Sequence, residues 1–225
     1  MFLKVAELAA AVCVSEKTVV FWIKDMGLPA HKQDDRYRIN RVDLLEWATT
    51  QGISIPPEIF VASAETNPLS SISGALRQGG VYYDLPGDTP ESALREVVSR
   101  LQLPPGLDPE FLLQTLLARE ALGSTALGNG IAIPHVRNPI VGPAGESAIS
   151  LCFLRNPIDF DAVDGEPVTI LFTLVTPNVS AHLHLLAKLA FLLHDQPFQE
   201  LLHRPGSEAE IMTAIRALEE TALRR

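Results

Sequence analysis

Two stripes of apolar residues predict two short helices near the start of the chain. The first stripe recurs at helical spacing and comprises Val5, Leu8, Ala9 and Val12. The second has the same spacing and comprises Val19, Val20, Ile23 and Met26. Ser15 precedes the second stripe, and its hydroxyl can cap the helix by accepting a backbone N–H bond. Gly27 follows the stripe and is typical of a helix end.

A hairpin and a third helix are predicted after these stripes. Residues 30–39 fit a small hairpin with Asp34 and Asp35 at its tip, and Asn40 can cap a helix that runs through Thr50. Two short helices around a tight turn, a β-wing and a further helix are typical of a winged helix-turn-helix. This domain is therefore predicted over residues 1–53.

The rest of the chain predicts a linker followed by a larger α/β domain. Residues 54–75 are rich in Pro, Ser, Thr and Asn with little periodicity, which favours a linker, and the second domain is predicted over 76–225. Strands are predicted at 81–83, 130–133, 147–153 and 168–175, and helices at 90–101, 109–119, 181–194 and 208–223. The run at 168–175 is almost wholly apolar, as in a central strand. Helices on both faces of a mixed sheet follow from this order.

The composition limits the number of domains and the cellular location that are expected for this protein. The 225 residues, 47% of them hydrophobic, suffice for one or two domains with a buried core. No apolar run reaches the roughly 18–20 residues that cross a bilayer. The first residues lack the basic and apolar regions of a signal peptide, so no membrane insertion and a cytoplasmic location are predicted. Cys13 and Cys152 lie in apolar surroundings and are expected to be small buried residues rather than a disulfide.

The net charge of −9 is unevenly distributed along the chain. Residues 1–53 carry seven Lys or Arg and seven Asp or Glu, so the whole negative charge belongs to the remainder. An acidic body repels nucleic acid. Any contact with DNA is therefore expected from residues 1–53.

Residues 128–135, with the sequence GNGIAIPH, hold the most informative motif. The Gly-Asn-Gly turn can adopt backbone conformations that bring N–H groups together, and Pro134 restricts the chain before His135. A histidine at a strand end near such amides suits an imidazole that receives and passes on a phosphoryl group. A glycine turn that enters a buried strand, with His135 merely at its end, is the alternative.

The wider segment at residues 119–135 resembles the phosphorylation-site region of enzyme IIA proteins of the bacterial sugar phosphotransferase system. The mannitol/fructose class matches, and in particular its nitrogen-regulatory branch. The likeness continues through residues 157–168 and 182–190, and together these segments span most of 70–223. The resemblance implies a three-layer α/β/α domain.

The resemblance also assigns roles to single residues. His135 is implied as the phosphoryl acceptor, His182 as a hydrogen-bond partner of the phosphoryl group, and Arg119 as a cation for the phosphate oxygens. The predicted phosphate-binding residues beside the glycine turn are Ser124, Thr125 and Asn129. Each of these three also suits ordinary turn chemistry. No cofactor is predicted and no metal site, since His184 lies roughly 200° around a helix from His182.

Two positions depart from the family pattern. Ala126 replaces the usual glycine after Thr125, and Val136 replaces the small residue that normally follows the active histidine. A β-branched side chain at 136 is expected to restrict the backbone and to narrow access to His135.

The amino-terminal domain resembles the excisionase and MerR-like DNA-binding domains. The motifs that carry this likeness are VSEKTV at 14–19, Trp22, LPA at 28–30, RYRI at 36–39 and LLEW at 44–47. The implied DNA contacts, at the start of the recognition helix and on the wing, are Ser15, Lys17, Thr18, Lys32, Arg36, Tyr37 and Arg38. Phe21 stands where family members usually carry a basic or polar residue. A small helical adaptor or dimerisation domain is the alternative.

Two functions from different classes remain open on the sequence. In the first, the chain is a regulatory phosphocarrier that accepts phosphate on His135 from an HPr-like protein and couples it to DNA binding, regulated partner proteins or both. In the second, the IIA fold is a binding module without phosphotransfer. A homodimer is compatible with either function, because helix-turn-helix proteins often read two half-sites.

Overall fold

The computed structural model of the chain describes residues 2–33, 36–51, 53, 55, 56, 59, 71–103, 106–136, 146–204 and 206–222. The predicted hairpin tip at Asp34 and Asp35 and most of the predicted linker lie outside these residues. No helix in the described ranges is long and apolar enough to cross a membrane.

The amino-terminal unit is a winged helix-turn-helix with one more strand than the sequence predicts. Its elements are β1 (Phe2–Lys4), α1 (Val5–Ala11), α2 (Glu16–Asp25), β2 (His31–Gln33), β3 (Arg36–Asn40) and α3 (Arg41–Thr50). The predicted caps are confirmed, because Ser15 accepts the N–H of Thr18 at 3.1 Å and Asn40 accepts that of Val42 at 2.9 Å. The sheet order is β1-β3-β2, with both pairs antiparallel.

Two tryptophans join α2, the predicted recognition helix, to α3. The rings of Trp22 and Trp47 lie 5.4 Å apart, and the indole N–H of Trp47 donates to the Met26 carbonyl at 2.8 Å. Cys13 corrects the expectation of two buried thiols, because it is exposed in the turn between α1 and α2. Its backbone has φ of 54°, which carries the chain around that turn.

The larger unit contains the predicted mixed sheet between two helical layers. Its elements are α4 (Ile72–Gly79), β4 (Val81–Leu85), α5 (Pro90–Arg100), α6 (Pro109–Glu120), β5 (Ala126–Gly128), β6 (Ile131–Ala132), β7 (Ala148–Ile158), β8 (Val168–Val175), α7 (Val179–Leu192), α8 (Gln196–His203) and α9 (Glu208–Ala222). The strand order is β4-β7-β8-β6-β5. Strands β4 and β7 are parallel, as are β6 and β8, whereas the other neighbours are antiparallel. Helix α4 begins within the stretch predicted as linker.

Alternation along the strands divides the apolar residues between two cores. The front core contains Ile170, Phe172 and Leu174 of β8 together with residues of α4, α7, α8 and α9. The back core contains Leu171 and Val175 of the same strand together with residues of α5 and α6. From Ile170 to Val175, this alternation decides the layer to which each residue of β8 belongs, whereas Val168, beside the irregular pairing with β7, lies in the back core.

The front core continues into the amino-terminal unit. Buried residues of α1, α2 and α3 belong to the same cluster as those of α7, and α3 contacts α7 directly. Ile55, in the stretch predicted as linker, is buried in this cluster too. The two units are therefore joined by packing as well as by the chain between them.

Gly79 allows α4 to lie close to β7. A Cβ atom at this position would come within 2.2 Å of the carbonyl oxygen of Ile149, a backbone atom that cannot move aside alone. We expect Gly79→Ala to lower the free energy of unfolding by about 2 kcal/mol or more, the cost of overpacking. Urea unfolding followed by circular dichroism measures the change, with the exposed Arg77→Ala in the same helix as control. Equal stability of the two variants would contradict the close approach.

Candidate functional site

The end of β6 places His135 beside the central strand. The carbonyl of Pro134 accepts the N–H of Leu174 at 3.1 Å, and His135 forms a parallel bridge with Leu174. Pro134 has no N–H of its own, so the chain contributes only its carbonyl to this pairing at that residue. The predicted position of His135 at a strand end is confirmed.

A backbone carbonyl determines the tautomer of His135. Nδ1 lies 2.7 Å from the carbonyl oxygen of Ile133. Because a carbonyl can only accept, Nδ1 carries the proton, and in the neutral imidazole the lone pair then lies on Nε2. An imidazole in this form is a nucleophile at Nε2.

The structure brings His135 and His182 together. Their ring centroids lie 5.3 Å apart and their planes are inclined by 39°. His182 occupies the first turn of α7, whose start is capped by Asn178 through a 2.8 Å bond from the N–H of Ala181. His135 is 5% exposed and His182 is 1% exposed, so the pair lies beneath the surface.

Arg119 lies on the other layer of the domain. It lies near the end of α6, which covers the back core, and its Nη1 donates to the Gly123 carbonyl at 2.9 Å. This bond places the guanidinium against the loop that leads into β5. Its contact with a phosphoryl group stays a prediction.

Ser124 and Thr125 hold that same loop in place. The Ser124 hydroxyl donates to the Phe160 carbonyl and accepts the N–H of Ala126 at 3.1 Å. The N–H and the hydroxyl of Thr125 both donate to the Glu120 carboxylate, at 2.8 and 2.6 Å. Sequence reasoning missed Glu120, because a glutamate at a helix end carries no signal of the loop that it will bind.

Asn129 lies in the glycine turn, where its backbone amide binds an anion from within the chain. The turn is left-handed, with φ of 94° at Gly128 and 51° at Asn129. The N–H of Asn129 donates to Asp164 Oδ2 at 2.8 Å. This bond, followed by one from the N–H of Glu166, lowers the pKa of Asp164. The phosphate-binding roles of Ser124, Thr125 and Asn129 stay predictions, and their observed bonds are those of turn chemistry.

The two departures from the family pattern lie away from the histidines. Val136 is fully buried among the residues that pack on α5 and α6, and Ala126 belongs to the same back core. His135 faces the opposite layer, where it meets His182. This corrects the expectation that Val136 narrows access to His135, because adjacent residues of an extended chain point to opposite faces.

The recognition helix presents both a cation and an aromatic ring. The hydroxyls of Ser15 and Thr18 lie 2.8 Å apart within the cap of α2, whereas Lys17 is exposed. Phe21, one turn after Lys17, is 51% exposed. The exposed face of α2 therefore carries both a positive charge and an apolar aromatic ring.

The predicted wing residues divide between the two faces of the small sheet. Arg36 and Arg38 alternate onto one face, and the pairing of Arg38 with Lys4 places a third cation there. Lys32 is paired with Tyr37, and this pair occupies the opposite face. The sequence did not predict this division between faces, because the division depends on strand register and on β1, which was not predicted.

A three-layer α/β/α domain with two apposed histidines, joined to a helix-turn-helix, defines the class of protein. Residues 76–217 match the family described as phosphoenolpyruvate-dependent sugar phosphotransferase system, EIIA 2, and residues 2–52 match a helix-turn-helix domain. The chain belongs to this EIIA family, within the group of nitrogen regulatory proteins.

Three relatives illustrate the match. The nitrogen regulatory protein of Pseudomonas aeruginosa is 35% identical over 138 residues, which cover 60% of this chain and 88% of that protein. That of Escherichia coli K12 is 36% identical over 135 residues, which cover 56% and 78%. The crystal structure of nitrogen regulatory protein IIA-Ntr from Neisseria meningitidis superposes with a TM-score of 0.57 at 29% identity, covering 64% of this chain and 98% of that one.

His184 is a second buried histidine on α7, turned away from His182. It is 6% exposed, and neither ring nitrogen has a hydrogen-bond partner within the described part of the chain. Burial, with a smaller contribution from Lys188, lowers the pKa of His184 to about 4. The imidazole is therefore neutral at physiological pH.

This histidine should make stability depend on pH. Unfolded chains protonate His184 near pH 6.5, whereas the folded protein resists protonation down to about pH 4. Stability is therefore complete above pH 6.5 and falls as pH decreases toward 4, by at most about 3 kcal/mol. We expect His184→Leu to flatten this part of the profile in urea unfolding at several pH values. The exposed His203→Leu is the control, and parallel profiles for His184→Leu and the wild type would contradict the assignment.

Proposed function

We propose that the protein is a cytoplasmic regulatory phosphocarrier that accepts a phosphoryl group on Nε2 of His135 from an HPr-like phosphocarrier. The observation that carries the proposal is the Nδ1 bond of His135 to the Ile133 carbonyl, which leaves the Nε2 lone pair as the nucleophile. In the transfer, the bond from phosphorus to the donor nitrogen breaks as the bond to Nε2 forms. Nδ1 keeps its proton throughout.

The neighbouring residues would stabilise the transferred group. His182, 5.3 Å away between ring centroids, is within reach of a phosphoryl group on His135 as a hydrogen-bond donor. Arg119 supplies a cation from the loop side. Ser124, Thr125 and Asn129 shape the backbone around this site through the bonds that they make to Phe160, Glu120 and Asp164.

Regulation would pass through the helix that carries His182. Helix α3 of the amino-terminal unit packs on α7, so a change at the start of α7 would reach that unit through this direct contact. Residues 1–53 would contact DNA through α2 and the wing, and a homodimer would present two such domains to two half-sites. The binding of regulated partner proteins would depend on the same change at the start of α7.

One observation favours the alternative of a binding module without phosphotransfer. Both histidines are almost wholly buried, and a donor protein must reach Nε2 of His135 for transfer to occur. Under that alternative the pair would be a core feature, and partners would bind equally well without His135.

Phosphoryl labelling separates the two functions. We expect acid-labile label on the wild type after incubation with phosphoenolpyruvate, enzyme I and the cognate HPr-like protein. His135→Ala should carry no label, because it lacks the nucleophile, whereas the exposed His203→Ala should be labelled like the wild type. An unlabelled wild type, with partner binding unchanged in His135→Ala, would establish the binding module instead.

The DNA contact is tested by removing the two wing cations that share a face. We expect Arg36→Ala with Arg38→Ala to weaken mobility shifts on the DNA upstream of the protein's own operon and to reduce the salt slope by about two, one for each phosphate contact. The control removes two exposed cations from the larger unit, Arg77→Ala with Arg216→Ala. Repeating the assay with phosphorylated protein measures the coupling.

Equal binding by both double variants would discredit the wing assignment. No shift with any form of the protein would favour the adaptor or dimerisation role for residues 1–53.

A further inference from the structure

A buried hydroxyl lies at the end of the central strand β8. Thr176 directly follows Val175, is 0% exposed, and has no hydrogen-bond partner for Oγ1 among the described residues. Buried polar groups nearly always have partners, because an unpaired hydroxyl loses its bonds to water on folding. Because Thr173 on the same strand also has a buried hydroxyl without a partner among the described residues, the position of Thr176 is what distinguishes it.

Thr176 belongs to the same layer as the two histidines. Leu174, the partner of His135 in the parallel bridge, is a front-core residue, and Thr176 lies two positions further along. Pro177 disfavours helical backbone at the residue before it, so the extended alternation of β8 continues to Thr176. The hydroxyl is thus placed on the front face, just beyond the residue paired with His135.

The first turn of α7 lies immediately after this hydroxyl. Asn178 caps the helix, which spans fourteen residues from Val179 to Leu192 and carries His182 in its first turn. The start of such a helix has a partial positive charge and N–H groups without intrahelical acceptors. Along the chain, Thr176 and this turn therefore lie between Leu174, the residue paired with His135, and His182 itself.

We propose that the Thr176 hydroxyl and the first turn of α7 bind the oxygens of the phosphoryl group on His135. This inference rests on the proposed function and adds a phosphoryl-binding residue to it. A phosphoryl group buried between His135 and His182 brings close to two negative charges and three acceptor oxygens into a site of low polarity. Donors on this face would stabilise those oxygens, and the hydroxyl would gain the acceptor that it lacks among the described residues.

Thr173 provides a matched control on the same strand. It is also 0% exposed and its hydroxyl also lacks a partner among the described residues, but it lies one position from Leu174 and faces the back layer. Thr176→Val and Thr173→Val thus remove equivalent buried hydroxyls from opposite faces. Thr176→Ser retains the hydroxyl with a smaller side chain.

The test compares these variants in single-turnover transfer from the phosphorylated HPr-like protein. We expect Thr176→Val to be slowed by about tenfold, the loss of one hydrogen bond to a charged group, and to shift the ³¹P resonance of phosphohistidine. Thr173→Val should match the wild type, and Thr176→Ser should recover most of the rate. Urea unfolding should find Thr176→Val at least as stable as the wild type, because it removes an unpaired buried hydroxyl.

The outcomes distinguish this inference from the function on which it rests. If the wild type is phosphorylated on His135 and Thr176→Val equals Thr173→Val in rate and resonance, the inference is overturned and the phosphocarrier function stands. If Thr176→Val loses stability and rate together, Thr176 is a packing residue and the inference is again overturned. If Thr176→Val does not fold, Thr176→Ala takes its place in the same comparison. If the wild type accepts no phosphate, the proposed function itself fails.

Discussion

The central strand β8 is the constraint on which the site depends. It is almost wholly buried on both faces, and its neighbours β7 and β6 pair with it in opposite senses. Because helices cover each face, the alternation from Ile170 onward assigns the residues of β8, and those of the segment beside it, to one layer or the other. That assignment turns His135 toward α7 and sends Val136 into the back core. The same alternation places Thr176 on the front face and Thr173 on the back face.

Helix α7 makes the amino-terminal unit part of the larger one. A helix on the outer layer of a three-layer domain normally has a polar face, yet α7 is buried at both His182 and His184, on opposite sides. The contact with α3 and the continuous apolar cluster account for the second buried side. The helix beside the two histidines is therefore also the helix against which the amino-terminal unit packs, and the proposed signal would need no longer path.

The amino-terminal unit has the helix-turn-helix motif, and its surface carries both cations and an exposed aromatic side chain. Its wing carries Arg36 and Arg38 on one face, while its recognition helix exposes Phe21 beside Lys17. The cations favour phosphate contacts, which supply most of the affinity of such domains. The aromatic side chain can instead contact thymine methyl groups or a protein partner. Both contacts are apolar, so the charge of the surface does not distinguish between them.

Local patterns determined much of this protein. The caps at Ser15 and Asn40, the apolar run of β8 and the position of His135 at a strand end all follow from spacing and side-chain chemistry within a few residues. The likeness to enzyme IIA also paired His135 with His182 across almost fifty residues of sequence, a pairing that no local rule supplies.

Only the tertiary structure decided which neighbours those residues meet. It showed that Glu120 and Asp164 bind the glycine-rich loops, that β1 completes the wing sheet, and that Val136 is remote from the imidazole. The physical reason is that a sequence specifies the direction of a side chain by local periodicity, whereas its partner depends on strand register and layer packing. Those are set by contacts between segments distant along the chain.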